Sequence, residues 1–135
     1  MSKLKTANKA NIAILGAGSI GCYLGGCLLS VGANVTLIGR ARLKEQIGKS
    51  GLTLTDWRGR NTKLKPDAVN FTKSAEVMEN ADYILVCVKS GDTQEAALLI
   101  AQYGNSLLQK TNPIVISFQN GVRNAQVLSE CLPNY

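Results

Sequence analysis

The sequence predicts an α/β fold, a doubly wound, mostly parallel sheet with helices on both faces and a small hairpin insertion near residues 51–65. Three observations predict it. Short apolar runs alternate with stretches of helical periodicity along the whole chain. The first apolar run ends on a glycine-rich turn that opens directly into a helix. A hydrophobic content of 45% in 135 residues is enough to bury one core without disulfides or metal.

Residues 11–15 form a short apolar run of the kind buried on both faces of a parallel sheet. Residues 19–31 place Ile20, Leu24, Cys27, Leu28 and Val31 at helical spacing, and Gly32 ends that helix. A second strand is predicted at 34–38, and a short helix at 42–47 closed by Gly48. Leu52 and Leu54 alternate with Thr53 and Thr55, 56–60 is turn-like, and 62–64 resumes the pattern, so a hairpin follows. Residues 68–71 are extended, and Val77 and Met78 mark a short helix after Ser74. Residues 83–88 read as a strongly buried strand. The helix predicted at 92–109 has Leu99, Ile100, Tyr103 and Leu107 on one face and Asp92 at or near its N-cap. A strand at 113–118 and a helix at 123–131 complete the pattern, and 132–135 stand where a further strand is expected.

Charge and composition exclude several function classes. The net charge of +6 lies wholly in the first third: residues 1–44 hold Lys3, Lys5, Lys9, Arg40, Arg42 and Lys44 and no acid, whereas the remainder is balanced. No interleaving of aromatic and basic residues suits stacking on bases, so a phosphate-bearing small ligand is favoured over nucleic acid. The apolar stretch 12–35 carries six glycines, which argues against a signal peptide or a membrane span. Residues 1–10 are then expected to be a mobile basic arm before a single domain at 11–135. Cys22, Cys27, Cys87 and Cys131 form no C-x-x-C pair, and the chain has no histidine. A zinc-type ligand set is therefore not expected, and hydrolytic triads are unavailable. Reduced core thiols of a cytoplasmic protein are the expectation. Trp57 reads as an ordinary half-buried aromatic, with contact to a partner domain as the alternative.

Gly16-Ala17-Gly18-Ser19-Ile20-Gly21 matches G-x-G-x-x-G between a strand and a helix, the context that gives this pattern meaning as a Rossmann-type dinucleotide fingerprint. Gly16 permits the tight turn, Gly18 admits a pyrophosphate close to the backbone, and Gly21 lets helix and strand pack closely. Where an NAD site usually carries an acid for the ribose 2'-OH, this chain has Gly39-Arg40-Ala41-Arg42. A guanidinium grips a 2'-phosphate that an acid would repel, so NADP(H) is favoured. Arg42 fits a merely solvated role equally well. Lys89 and Asn120 end two later strands and should share the same sheet edge, although a loop lysine and an Asn-Gly turn are common bland roles.

Taken together, Ile14 to Gly21, Ile38-Gly39-Arg40, Gly51 to Leu54, Ala81 to Lys89, Asp92-Thr93 and Gln119-Asn120-Gly121-Val122 resemble the N-terminal part of the 2-dehydropantoate 2-reductases, or ketopantoate reductases. The resemblance runs from about Asn11 to Tyr135. It implies NADPH-dependent reduction of a small 2-keto acid, ketopantoate, to pantoate on the route to coenzyme A. It further implies that Arg40 faces the 2'-phosphate, that Lys89 belongs to the cofactor site, and that Asn120 is shared by cofactor and substrate. In the family the general acid and most substrate contacts lie in a helical C-terminal domain; no counterpart is expected within residues 11–135, so Lys89 and Asn120 would only assist. Two alternatives stay open, the cofactor domain of another 2-keto or 3-hydroxy acid dehydrogenase, or a stand-alone dinucleotide-sensing module.

Overall fold

Each strand of the central sheet sends alternate side chains to opposite faces, and both faces are apolar, so the sheet needs cover on both sides. The computed structural model describes residues 9–104 and 112–135. In order, the chain forms β1 (Asn11–Leu15), α1 (Ser19–Ser30), β2 (Asn34–Ile38), α2 (Ala41–Ser50), β3 (Leu52–Thr55), β4 (Asn61–Leu64), β5 (Asn70–Thr72), β6 (Tyr83–Val86), α3 (Thr93–Tyr103), β7 (Ile114–Ser117) and α4 (Asn124–Cys131). Short 3₁₀ helices occupy Pro66–Ala68, Ala75–Asn80 and Ser90–Asp92.

Five strands pair in parallel in the order β5-β2-β1-β6-β7, while β3 and β4 form a separate antiparallel hairpin. The chain winds outward from β1 to β5, then returns to lay β6 on the other side of β1. That reversal opens a crevice at the carboxyl ends of β1 and β6. Register aligns the edge. Leu15 pairs with Ile38 and Val86, Ile38 with Thr72, and Val86 with Ser117, so all five strands end in one row.

On one face Ala13, Leu15, Ile84 and Val86 pack against Met78, Ala96, Ala97, Ile100 and Leu128, joining α3, α4 and the 3₁₀ turn before β6. On the other, Ile14, Val35, Leu37 and Leu85 meet Cys22 of α1 and Ile47 of α2. The hairpin lies on α1. Leu54 is 2% exposed and reaches Gly26, and Arg60 donates to Cys27 Sγ (3.1 Å) and Ser30 Oγ (3.3 Å). Burying a leucine in this way stabilises by about 1.5–3 kcal/mol.

The departures from the sequence reading have local causes. Helix α2 runs through Gly48 to Ser50, because Gly51 adopts φ 70° and takes the C-cap. A Cβ on Gly51 would overlap the carbonyl of Leu64, so the hairpin needs glycine there. β5 starts at Asn70, since Ala68 lies in the Pro66–Ala68 turn. β6 ends at Val86: Cys87 still donates to Leu15 O (2.8 Å), but Val88 turns away beneath Gly16. Asp92 holds the N-cap position of α3 without a side-chain capping bond, and α3 ends at Tyr103. Leu107 and the rest of the predicted helix end fall within 105–111, outside the described residues, as does most of the expected basic arm. Lys9 is described, and its ammonium donates to Gly32 O (2.8 Å). Trp57 is 88% exposed at the hairpin tip, beside the Arg58 guanidinium, and not half-buried. No described helix is long and apolar enough to cross a membrane.

A Cβ on Gly21 would overlap the carbonyl oxygen of Gly16 and press on Ile14. Helix propensity alone favours Gly→Ala by about 1 kcal/mol, whereas overpacking against backbone costs about 1–3 kcal/mol. Gly21→Ala is therefore expected to lower the melting temperature followed by circular dichroism. An unchanged or higher value would show that α1 does not need this close approach.

Candidate functional site

The turn after β1 is built to leave donors free. Gly16 takes φ 101°, and the N–H groups of Gly16 and Ala17 both donate to Ile38 O (3.1 and 2.9 Å), tying the turn to the end of β2. Gly18 caps α1 without a side-chain hydrogen bond, and its own N–H donates to Gly16 O (2.9 Å). Cys22 N–H is the first in α1 to find a helical acceptor, Gly18 O. The N–H groups of Ser19, Ile20 and Gly21 thus have no acceptor among the described residues, and the positive end of the helix dipole adds to their pull on an anion. Gly18 is exposed, and a Cβ there would meet nothing within 4 Å. Ala17 is buried at 8% exposure, so it supports the turn from behind.

A second helix start lies on the other side of β1. Arg40 is the exposed N-cap of α2, with no carboxylate partner among the described residues. Leu43 and Lys44 N–H both donate to Arg40 O (3.1 Å each), which leaves those of Ala41 and Arg42 outward. The first turn of α2 contains no acid. A guanidinium and a helix N-terminus therefore meet at one point of the sheet edge.

Beyond β1 in the other direction, Lys89 follows β6 and Asn120 follows β7. Together with Ile20, Cys87 and Phe118 they line a crevice of about 460 Å³. Lys89 and Asn120 are exposed, and neither the ammonium nor the carboxamide has a hydrogen bond or ion pair among the described residues. Gly121 takes φ 103°, so Gln119-Asn120-Gly121 is also a tight turn. The structure thus brings Lys89, Asn120 and Ile20 together and sets Arg40 apart, across the glycine turn.

Sequence reasoning gave no role to the residues beneath this crevice. Thr93 and Asn124 are 2% and 5% exposed, and with Gln119 they connect the loops carrying Lys89 and Asn120. Their separation of 31 positions leaves no local pattern to detect. The thiols of Cys22 and Cys87 are both raised by burial, Cys87 to about 11 with a further contribution from Cys22. Both stay protonated at neutral pH and offer no nucleophile. No group of metal-ligating side chains occurs among the described residues.

The chain is similar to known proteins in sequence and fold. The family model described as ketopantoate reductase PanE/ApbA matches residues 12–135. A 2-dehydropantoate 2-reductase of Pyrococcus horikoshii is 36% identical over 119 residues, covering 88% of this chain and 36% of the relative. One of Halobacterium salinarum is 31% identical over 123 residues, covering 90% and 38%. The chain therefore spans little more than a third of these relatives. A PanE/ApbA family ketopantoate reductase from Ralstonia eutropha superposes with a TM-score of 0.75 at 38% identity, over 89% of this chain and 37% of that one. With the family model matching residues 12–135 and the fold shared, this chain belongs to the ketopantoate reductase family of oxidoreductases.

Proposed function

We propose that the chain is the NADPH-binding half of a reductase acting on 2-dehydropantoate. The observation that carries this reading is the pairing of an open glycine cradle at the start of α1 with Arg40 at the start of α2. The space left by Gly18 fits a pyrophosphate against the free N–H groups of Ser19, Ile20 and Gly21. Arg40 and the first turn of α2 fit a ribose 2'-phosphate, and nothing acidic stands there to favour a bare hydroxyl. A D-mandelate dehydrogenase with a related fold (TM-score 0.69, 26% identity) was solved with NADH, so the architecture itself does not select the phosphate. Selection falls to Arg40.

The crevice on the β6 and β7 side suits the nicotinamide half. When bound, the cofactor supplies a hydride for a keto carbon. Lys89 and Asn120 bring donors with no competing partner, suited to orienting a carbonyl and stabilising negative charge on its oxygen. The substrate assignment rests on the relatives named 2-dehydropantoate 2-reductase. Those relatives are roughly two and a half times as long, and a helical domain closing the other side of the crevice would supply the general acid and the remaining substrate contacts.

Three outcomes test this. Gly18→Val is expected to leave the melting temperature nearly unchanged, because the added side chain enters open space, while removing NADPH binding in a fluorescence titration. Unchanged affinity would make the turn purely structural. Arg40→Glu exchanges a charge-assisted contact worth about 1.5–3 kcal/mol for repulsion, so NADPH affinity should fall about ten- to hundredfold with NADH affinity little affected. Equal losses for both cofactors would move the selection to Arg42 or Lys44. Finally, the 135-residue chain alone should bind NADPH without steady oxidation on 2-dehydropantoate, since water stays in an open crevice and a positioned acid contributes about 10²- to 10⁴-fold in rate. Turnover at about 1 per second or faster would show that Lys89 or another local group serves as the acid.

A further inference from the structure

Two polar side chains are buried among the described residues, Thr93 and Asn124, and they touch each other. Thr93 Oγ1 lies 2.8 Å from Asn124 Oδ1 and 3.0 Å from Ser90 O, and it accepts from Gln119 Nε2 at 2.9 Å. The same Gln119 amide donates to Val88 O (3.0 Å), and Ser117 Oγ donates to Gln119 Oε1 (2.9 Å). Asn124 Nδ2 donates to Asn120 O (2.7 Å), which also accepts from Ser90 Oγ (2.6 Å). The chain of bonds therefore grips the backbone on both sides of Lys89, at Val88 and Ser90, and at Asn120 itself. It leaves the Lys89 ammonium and the Asn120 carboxamide untouched.

A network serving only to pack α3 against α4 would have no need to end on loop carbonyls. Those helices already share Ala96, Ala97, Ile100 and Leu128 in the apolar core. Buried polar groups are costly when unpaired and rigid when fully paired, so a satisfied network of this kind fixes geometry. We propose that Thr93 and Asn124 are positioning residues, a buried clasp that sets the spacing of Lys89 and Asn120 for the nicotinamide half of the cofactor. This rests on the reading of the crevice given above. The bonds of the clasp end on Val88, Ser90 and Asn120, whereas the glycine turn and Arg40 make their own hydrogen bonds to Ile38 O and within α2, so the clasp bears chiefly on one end of the ligand.

That asymmetry supplies the test. NADPH and 2'-phospho-ADP-ribose, the same molecule without its nicotinamide, are titrated into the wild-type chain, Thr93→Val and Thr93→Ser, with each melting curve recorded. Valine keeps the shape and loses the hydroxyl; serine keeps the hydroxyl. The expected result is about tenfold weaker NADPH binding by Thr93→Val, with the blue shift of bound NADPH emission lost and 2'-phospho-ADP-ribose affinity within about twofold of wild type. Thr93→Ser should restore both signals. Equal weakening for the two ligands, or an NADPH loss that serine does not rescue, would make the clasp structural only and overturn the proposal. So would unchanged NADPH binding by Thr93→Val. If that variant fails to fold, Thr93→Ser and Asn124→Asp decide: NADPH binding by the serine variant must match wild type and by the aspartate variant must fall selectively. A wild-type chain that binds 2'-phospho-ADP-ribose but gains nothing from the nicotinamide would instead refute the crevice reading, and the clasp with it.

Discussion

Helix α1 lies against the sheet at a distance that side chains would forbid. Gly21 faces the carbonyl of Gly16, and a Cβ on Gly25 would overlap Leu37 and crowd Ile14, both fully buried beneath it. Gly26 does the same on the outer side, where Leu54 of the hairpin presses in. One helix is thus clamped between two layers by the absence of three side chains. Everything at the carboxyl edge follows from that clamp, because the depth of α1 decides where its first N–H groups emerge relative to the ends of β1 and β6. An ordinary helix–sheet distance would lift those donors away from the row of strand ends.

The electrostatics are arranged with equal economy. Two helices begin at the same edge without a side-chain cap and without an acid in their first turn. Helix starts are usually satisfied by Ser, Thr, Asp or Asn, and forgoing that costs only a few tenths of a kcal/mol at the glycine that caps α1 but about 0.5–2 kcal/mol at Arg40 on α2. The first N–H groups of both helices are left without an acceptor among the described residues. α3 shows the contrasting solution. It begins near the same edge, yet its start is occupied by the Ser90–Asp92 turn and by Thr93, whose hydroxyl bonds inward. The edge therefore presents two anion-seeking points flanking β1, and beyond β6 a crevice whose donors come from side chains.

Much of this was legible in the residues themselves. The alternation of apolar runs and helical stretches located the five parallel strands, because a sheet buried on both faces leaves runs such as Asn11–Leu15 and Tyr83–Val86 that little else explains. Gly16 to Gly21 was readable because its chemistry is local: turn, cradle and helix start are consecutive. What escaped was non-local. Gly48 looked like a helix end until Gly51, held by the hairpin across from Leu64, proved to be the cap. Trp57 suggested a half-buried aromatic, but a hairpin whose apolar face is committed to α1 points its tip outward. Thr93 and Asn124 carry no periodicity, since their partnership exists only after β6 and β7 pair.

The exposed indole at the hairpin tip has a practical side. It belongs to the one tryptophan in the chain and is 88% exposed, held beside Arg58 at 4.9 Å. Its surroundings in the folded state already resemble water, so its emission changes little when the core comes apart. The customary optical signal of unfolding is nearly silent in this chain, and backbone dichroism or amide exchange must report stability instead. The same silence turns the indole into a local probe, answering to whatever approaches the hairpin and indifferent to the sheet beneath.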